Sequence, residues 1–535
     1  MKPKNLTALL GGLSAVLMSI PFLVPHCGWV ALFALVPLLC MDRVGTEAGL
    51  RGMNLRIYAV FVLWNALTTF WVCNATVGGG IFAILANALQ MAVIFGLFRA
   101  SRKVFRGSVP YLFLAAAWIA WERFYFSAQI SWPWLTMGNA FARTLSLVQW
   151  YEYTGVLGGS LWIWACNLGL FGLMVSLADG RFFRWNGKAR SAALVGCAAV
   201  LFAPMLVSAV IWNRYEETAE PLEVLIVQPN IDPYHKFQAL SQSQQNAILE
   251  GQIRDALQDR PQAADPLLIL APETFTADVT TNDIPAGRTW RRFTELMKDY
   301  PGASLLFGAS SHTFSEGPRP SPNARPAGPG RWVTAHNSAL MADGDGSTEI
   351  FHKSKLVVGV EMTPWPSFFT KIDDLLGGVM GRCVGQEEIS LLHAGDIPVG
   401  CAVCYESVYG EYCTGYVRKG ARLLTVITND AWWGDTPGYR QHLSYASLRA
   451  IETRRDIARC ANTGISALID QRGRILEQTP WWEAAVLRGT VRLSDRQTFF
   501  VRNGDITGRI CTLVFGLLFL ALLIRAVLPK EFRKQ

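Results

Sequence analysis

At 535 residues the chain is too long for one ordinary domain. With 51% hydrophobic and 17% charged residues it departs from a soluble protein, in which about a quarter of residues are charged. The net charge of +8 suits an anionic partner, but the basic residues flank apolar runs, which assigns them to a membrane surface and leaves nucleic acid unsupported as a partner.

Apolar runs fill residues 1–213 and return at 508–528. A helix needs about 20 residues to cross a bilayer. Eight segments read as spans: 6–25, 28–41, 56–75, 80–99, 108–127, 155–178, 191–213 and 508–528, the second being short. Lys2 and Lys4 give the first the charge pattern of a signal peptide, but no small-x-small cleavage motif follows "FLVPHCGW", which favours an uncleaved span. Basic residues recur in every second loop: Arg43, Arg51 and Arg56, then Arg99, Arg102, Lys103 and Arg106, then Arg181, Arg184, Lys188 and Arg190. The last group is Arg525, Lys530, Arg533 and Lys534. This alternation predicts both termini in the cytoplasm, with 529–535 as a tail, and the segment between spans seven and eight on the far side. The outside loop "ISWPWLTMGNAF" (130–141) reads as an interfacial aromatic belt or a platform beneath the soluble domain. Glu122 and Arg123, costly in lipid, read as a structural pair or cap.

Residues 219–495 read as a soluble domain. Apolar, strand-like runs recur at 223–230, 267–273, 304–311, 337–344, 401–406, 423–430 and 466–473, and helical patterns at 241–258, 289–300, 409–420 and 439–461. Their alternation predicts an α/β layered domain with strands buried on both faces. The Pro/Gly-rich stretch 316–331 reads as a loop.

Of the eleven cysteines, none belongs to a Cys/His set at zinc spacing. Cys401-x-x-Cys404 falls in an expected strand rather than opening a helix, unlike a redox pair, so neither metal nor cofactor is expected. Three apolar runs instead end in reactive groups. "LLILAPE" ends at Glu273, "IFHKSKLVVGVE" carries Lys353 with Glu361 eight residues on, and "CAVCYE" carries Cys404 with Glu406 two residues on. Buried sheets present ligand-binding groups at such ends. A carboxylate there can take a thiol proton, and an ammonium can stabilise thiolate and oxyanion. Each residue alone also fits a structural role: an inert buried thiol, a capping carboxylate, a surface lysine.

The order Glu273, Lys353, Cys404, in the contexts "APET", "FHKSKLVVGVE" and "CYES", resembles the nitrilase superfamily. That resemblance implies an αββα sandwich and a Glu-Lys-Cys triad acting on amide and related acyl bonds. With "PWLTMGNAF", "LVQWYEYTGVLGG" and the eight spans, nearly the whole chain resembles the superfamily's membrane-embedded branch, the apolipoprotein N-acyltransferases. The implied location is the bacterial inner membrane with the catalytic domain facing the periplasm. The implied reaction moves an acyl chain from a phospholipid, phosphatidylethanolamine by its sn-1 chain, onto Cys404. From there the chain passes to the free α-amine of a diacylated apolipoprotein. Glu273 is then the base, and Lys353 with a backbone N–H near Tyr405 holds the oxyanion. Two departures stand out: "VVGVE" where the family often has Val-Pro-Phe-Gly-Glu, and Phe237 where it often carries Trp.

Around the triad, Glu361 and Glu406 either tune lysine and base or serve as structural hydrogen-bonding carboxylates. Asn337 is a candidate for holding a lid, and Tyr405 for packing. Segment 362–385, with Trp365, Phe368, Phe369 and Leu375, reads as a buried arm or a membrane-dipping lid that admits acyl chains. Trp432 and Trp433 line the same cavity or pack beneath it. Two rivals remain: a membrane-anchored hydrolase with the same triad, and a non-catalytic transporter or scaffold, which the scarcity of intramembrane charge and the lack of an inverted repeat disfavour.

Overall fold

The computed structural model describes residues 1–217, 220–233, 239–260, 265–375 and 380–527. The chain divides into two compact units, one of residues 1–215 with the segment from Asn503 onward, the other Glu216–Arg502.

The first unit is helical: α1 Pro3–Leu23, α2 Val36–Glu47, α3 Met53–Thr69, α4 Val77–Ser101, α5 Val109–Tyr125, α6 Tyr151–Ala178 and α7 Gly187–Arg214, with a last helix at Ile506–Val527. Among the described residues, six stretches are long and apolar enough to cross a membrane: Pro3–Leu23, Gly28–Glu47, Val77–Ser101, Tyr151–Ala178, Gly187–Arg214 and Ile506–Ala526. These make the chain a membrane protein. The eight spans expected from sequence are thus not all met. Helices α3 and α5 have 17 residues each, about 25 Å at 1.5 Å per residue against a hydrocarbon core of about 30 Å. The expected span 56–75 is broken after Thr69, with a separate short helix at Val72–Ala75. The expected tail 529–535 lies outside the described residues.

Helix α5 is the most enclosed, with Phe113 to Ala120 all buried. Helix α7 buries only Ser208, whose hydroxyl donates to the Ser146 carbonyl and accepts from Gln149 N–H. Such an apolar, outward-facing helix belongs in lipid. The aromatic stretch 130–141 is not a belt. Trp134, Leu135, Met137 and Phe141 are buried in two 3-10 turns. Glu122 explains the fold of this stretch, since its Oε1 accepts from Met137 N at 2.8 Å and Trp118 Nε1 at 3.1 Å. Glu122 is therefore a cap, while Arg123 pairs with Asp505 at 3.6 Å rather than with its neighbour.

The second unit has four layers. One sheet runs β14-β1-β2-β4-β6-β5, with β3 beside β4 and β7 beside β6. Its strands are β1 Glu220–Gln228, β2 Leu267–Leu270, β3 Thr276–Thr280, β4 Ala303–Glu316, β5 Arg325–Gly328, β6 Arg331–Asp343, β7 Thr348–His352 and β14 Ala485–Leu493. The other runs β13-β12-β11-β10-β9-β8, from β8 Leu392–Ala394, β9 Ile397–Val403, β10 Leu423–Thr428, β11 Ile457–Ala461, β12 Ala467–Ile469 and β13 Ile475–Gln478. Helices α8 Gln242–Leu257 and α9 Arg288–Lys298 cover the first sheet, Leu249, Ile253 and Phe293 packing on Leu225, Ile269 and Leu305. The capping box of Ser241 and Gln244 starts α8. The sheet's opposite face, with Ile226, Leu268 and Leu306, shares one core with the second sheet. That core also takes in α11 Gly410–Arg418 and α12 Pro437–Thr453, after a short α10 at Pro366–Leu375. Alternate residues of β1, β2 and β4 thus face two cores, which is why these strands read as continuous apolar runs.

Several elements differ from expectation, among them β4, which runs on to Glu316, and β6, which starts at Arg331. The helix expected over 439–461 stops at Thr453, where Arg454 turns left-handed at φ +50°, and Ile457–Ala461 pairs with β10 as strand β11. The strand expected over 401–406 stops at Val403, for a reason seen at the site. The expected loop 316–331 contains β5, paired with β6.

Candidate active site

Parallel strands β9, β10 and β11 end level, with Val403 beside Ile427 and Thr428 beside Ala461. Cys404 follows the first of them and Asn429 the second. On the other sheet, Glu273 follows β2 and Lys353 follows β7. Loops after strand ends in neighbouring sheets therefore bring the three residues together.

Glu273 is placed by a close backbone approach. Gly308 on β4 lies under it, and a Cβ there would stand 2.5 Å from Glu273 Cα and from Thr274 N. Thr274 is left-handed at φ +47°. The fully buried Lys353 donates from Nζ to Glu273 Oε1 at 3.1 Å and to Glu361 Oε1 at 2.9 Å. Asn337, on β6, donates from Nδ2 to the same two oxygens, 2.7 Å each. Two carboxylates sharing one ammonium would repel, and the amide donor relieves that repulsion. Asn337 is thus a bridge inside the cluster. Glu273 Oε2 accepts from Asn429 N–H at 3.1 Å. A carboxylate accepts about four hydrogen bonds, so these three leave a lone pair for a thiol proton.

Burial opposes the charge of Lys353, but Glu273 and Glu361 outweigh it and hold its pKa well above the ordinary value. Cys404 is affected in the opposite sense. Burial, then Glu273, push its thiol well above the usual range, with Lys353 and a hydrogen bond to Thr428 opposing. The thiol thus feels both Glu273 and Lys353, in opposite senses. Its residue turns left-handed at φ +51°. This turn ends β9 and starts the 3-10 turn Cys404–Val408.

Glu406 has a different task. It accepts from Ser354 N at 2.7 Å, Lys355 N at 3.2 Å, Tyr412 OH at 2.8 Å and Val403 N at 2.8 Å. It ties the backbone beyond Lys353 to the backbone before Cys404 and makes no hydrogen bond to the lysine. The "VVGVE" departure closes in a similar way: Glu361 Oε2 accepts from Val357 N at 2.7 Å, across a turn with Gly359 at φ +82°. Cys401 is buried in the core between strands. Tyr405 is buried with its ring edge-on to Tyr409.

The remaining expected residues are dispersed. Phe237 lies outside the described residues. Trp365, Phe368 and Leu375 are exposed on and before α10, with Phe369 half-buried against Phe368. Arg382 anchors this helix through Asp373 at 2.6 Å. Trp432 is exposed, while Trp433 packs edge-on to His442. Sequence reasoning missed Asn429, Asp430, His442 and Arg459. The "TND" turn was visible in sequence, but a backbone N–H serving a carboxylate 156 residues away was not.

The arrangement supplies a thiol, a carboxylate to take its proton and a fixed ammonium. This is the equipment for acyl transfer through a covalent intermediate. Residues 14–169 match the apolipoprotein N-acyltransferase N-terminal domain, and residues 324–499 match the carbon-nitrogen hydrolase family, a range that includes Lys353 and Cys404. The chain is 29% identical to the apolipoprotein N-acyltransferase of Chlorobaculum tepidum over 525 residues, 94% of this chain and 93% of that protein. It is 29% identical to that of Geobacter metallireducens over 519 residues, 94% and 92% of the two chains. For Pseudomonas syringae the figure is 28% over 491 residues, 86% of each.

Proposed function

The chain belongs to the apolipoprotein N-acyltransferase family, and we propose that it moves a fatty acyl chain from a phospholipid to the N-terminal amine of a diacylated apolipoprotein through a thioester on Cys404. The observation that carries this reading is the shared cluster of Glu273, Lys353 and Asn337 acting on the Cys404 thiol.

Cys404 Sγ attacks the ester carbonyl as Glu273 takes the thiol proton. Lys353 steadies the oxyanion, aided by a backbone N–H near Tyr405. The C–O bond breaks, Glu273 returns its proton to the leaving oxygen, and lysophospholipid departs. The α-amine of the apolipoprotein's lipid-bearing cysteine then attacks the thioester. Glu273 accepts the amine proton and passes it to the departing sulfur, which leaves an amide and a free thiol. Such a covalent intermediate implies ping-pong kinetics.

The donor is phosphatidylethanolamine, used at its sn-1 chain. The enzyme sits in the bacterial inner membrane with Glu216–Arg502 in the periplasm and both termini in the cytoplasm. This topology counts α3 and α5 as spans three and five, which with the six long apolar stretches makes eight, and the alternating basic loops support it. Exposed Trp365, Phe368 and Leu375 support a membrane-dipping lid around α10.

The test is incubation of purified protein with labelled phospholipid and a diacylated lipopeptide. N-acylated peptide, lost in Cys404→Ser, supports the transferase. Free fatty acid alone identifies a hydrolase, and no acyl release leaves a non-catalytic role.

A further inference from the structure

Cys404 holds a backbone conformation that L residues rarely adopt, and such positions persist only where their surroundings over-determine them. The held point is its carbonyl. His442 Nε2 lies 3.0 Å from this oxygen, and Ser407 Oγ donates to it at 2.7 Å. Nε2 is also 3.0 Å from Ser407 Oγ. A carbonyl only accepts, so Nε2 carries a proton.

The far side of the imidazole is clamped. Nδ1 lies 3.0 Å from Asp430 Oδ1 and 3.2 Å from Arg459 Nη2. Asp430 also accepts from Thr428 Oγ1 at 2.8 Å and from Arg459 Nη2 at 2.6 Å. The side chains of Asp430, His442 and Arg459 are wholly buried. Burial opposes the Asp430 charge, yet Arg459 and His442 keep its pKa well below the carboxylate range. Gly464 makes room, since a Cβ there would stand 2.8 Å from Asp430 Oδ2. Trp433 packs edge-to-face with the imidazole, ring centroids 5.5 Å apart at 80°. Three elements thus converge on one peptide: the turn after β10, helix α12 and strand β11. Buried ionic groups are costly to assemble, and this assembly ends on the nucleophile's own backbone.

We propose that His442, locked by Asp430 and Arg459, is a positioning residue that fixes the Cys404 carbonyl and with it the left-handed turn that aims the thiol at Glu273 and Lys353. The proposal rests on Cys404 being the nucleophile. Without the Nε2 donor only Ser407 Oγ, itself 3.0 Å from that nitrogen, still holds the carbonyl, and the peptide is free to relax toward negative φ and swing Cβ away from the charges.

The experiment compares the full-length wild type with His442→Leu and His442→Gln in detergent. Glutamine carries an N–H near the imidazole Nε2 position and leucine carries none. One readout is single-turnover acylation by labelled phospholipid, with its concentration dependence. The other is the pH profile of Cys404 alkylation by iodoacetamide, followed by mass spectrometry without lipid. His442→Leu is expected to slow acylation about 10²-fold, the cost of a small misplacement, with KM unchanged and the alkylation profile moved. His442→Gln is expected to recover most of the rate and the wild-type profile.

Wild-type behaviour of His442→Leu overturns the proposal. So does His442→Gln as slow as His442→Leu when both melt like the wild type. If His442→Leu does not fold, His442→Gln decides: most of the rate supports the role and an about 10²-fold loss overturns it. Alkylation needs no substrate. A wild type that never acylates, beside a moved profile in His442→Leu, rejects the assigned reaction and keeps the positioning role.

Discussion

Lys353 Nζ lies 2.9 Å from Glu361 Oε1, closer than its 3.1 Å to Glu273. The ammonium is shared between two carboxylates, and this leaves Glu273, the proposed base, with lone pairs not taken up by the lysine. Remove the Glu361 charge, and a buried ammonium must turn wholly to Glu273, whose lone pairs then bind the lysine instead of a thiol proton. Glu361→Gln removes that charge and leaves one acceptor oxygen where Glu361 uses two, so it can serve either Lys353 and Asn337 or Val357 N–H but not both. It should slow acyl-enzyme formation about 10²-fold, as loss of general-base function does, with thermal melting read beside the rate. Single-turnover labelling measures this, and an unchanged rate would remove Glu361 from the cluster's chemistry.

The thiol's own titration separates base from electrostatic partner. Burial, then Glu273, raise the Cys404 pKa, and Lys353 lowers it. An ordinary thiol titrates near pH ~8.5, so Cys404 alkylation in the resting protein should rise only above that range. Glu273→Gln removes a negative neighbour and should move the profile down while acyl transfer falls about 10³-fold. Lys353→Met should move it up. A Glu273→Gln profile shifted upward would mean that the carboxylate does not face the thiol.

Gly308 tests the backbone placement of Glu273. A methyl there meets Glu273 Cα and Thr274 N at 2.5 Å, backbone atoms with no rotamer to yield. Gly308→Ala should destabilise the domain by about 1–3 kcal/mol, as overpacking does, and lower acylation more than its stability loss explains. Thermal melting read beside single-turnover rates checks both halves. A variant with wild-type melting and rate would show that β4 and the Glu273 turn have slack.

The exposed face around α10 makes a claim about substrate entry. Phe368 is 62% and Leu375 87% exposed, far from what a soluble helix of this size needs to leave in water. The double change Phe368→Ser and Leu375→Ser should cut activity on phospholipid vesicles and spare a soluble short-chain ester. Equal loss on both substrates would mean that this face supports the fold rather than lipid access.

The primary structure by itself determined the two kinds of territory. Long apolar runs with alternating basic loops mark a membrane-embedded helical region, because burial of apolar surface and the cost of charge in hydrocarbon are local properties. Continuous apolar runs between helical patterns likewise announced strands packed on both faces, and "APET", "FHKSK" and "CYES" marked where reactive groups end those strands. Tertiary structure decided the rest. Whether "ISWPWLTMGNAF" lies at an interface or in a core depends on Glu122 accepting from Met137 N. Whether Glu406 acts on the lysine or on backbone depends on Ser354, Lys355 and Val403 pointing at it. The partners of Cys404 come from residues up to 131 positions away in the chain: Glu273, Lys353, Asp430 and Thr428. Pattern in a chain reports which face a residue turns to solvent. It carries no record of which distant donor will meet an acceptor, because that is fixed only when sheets stack and their strand ends come level.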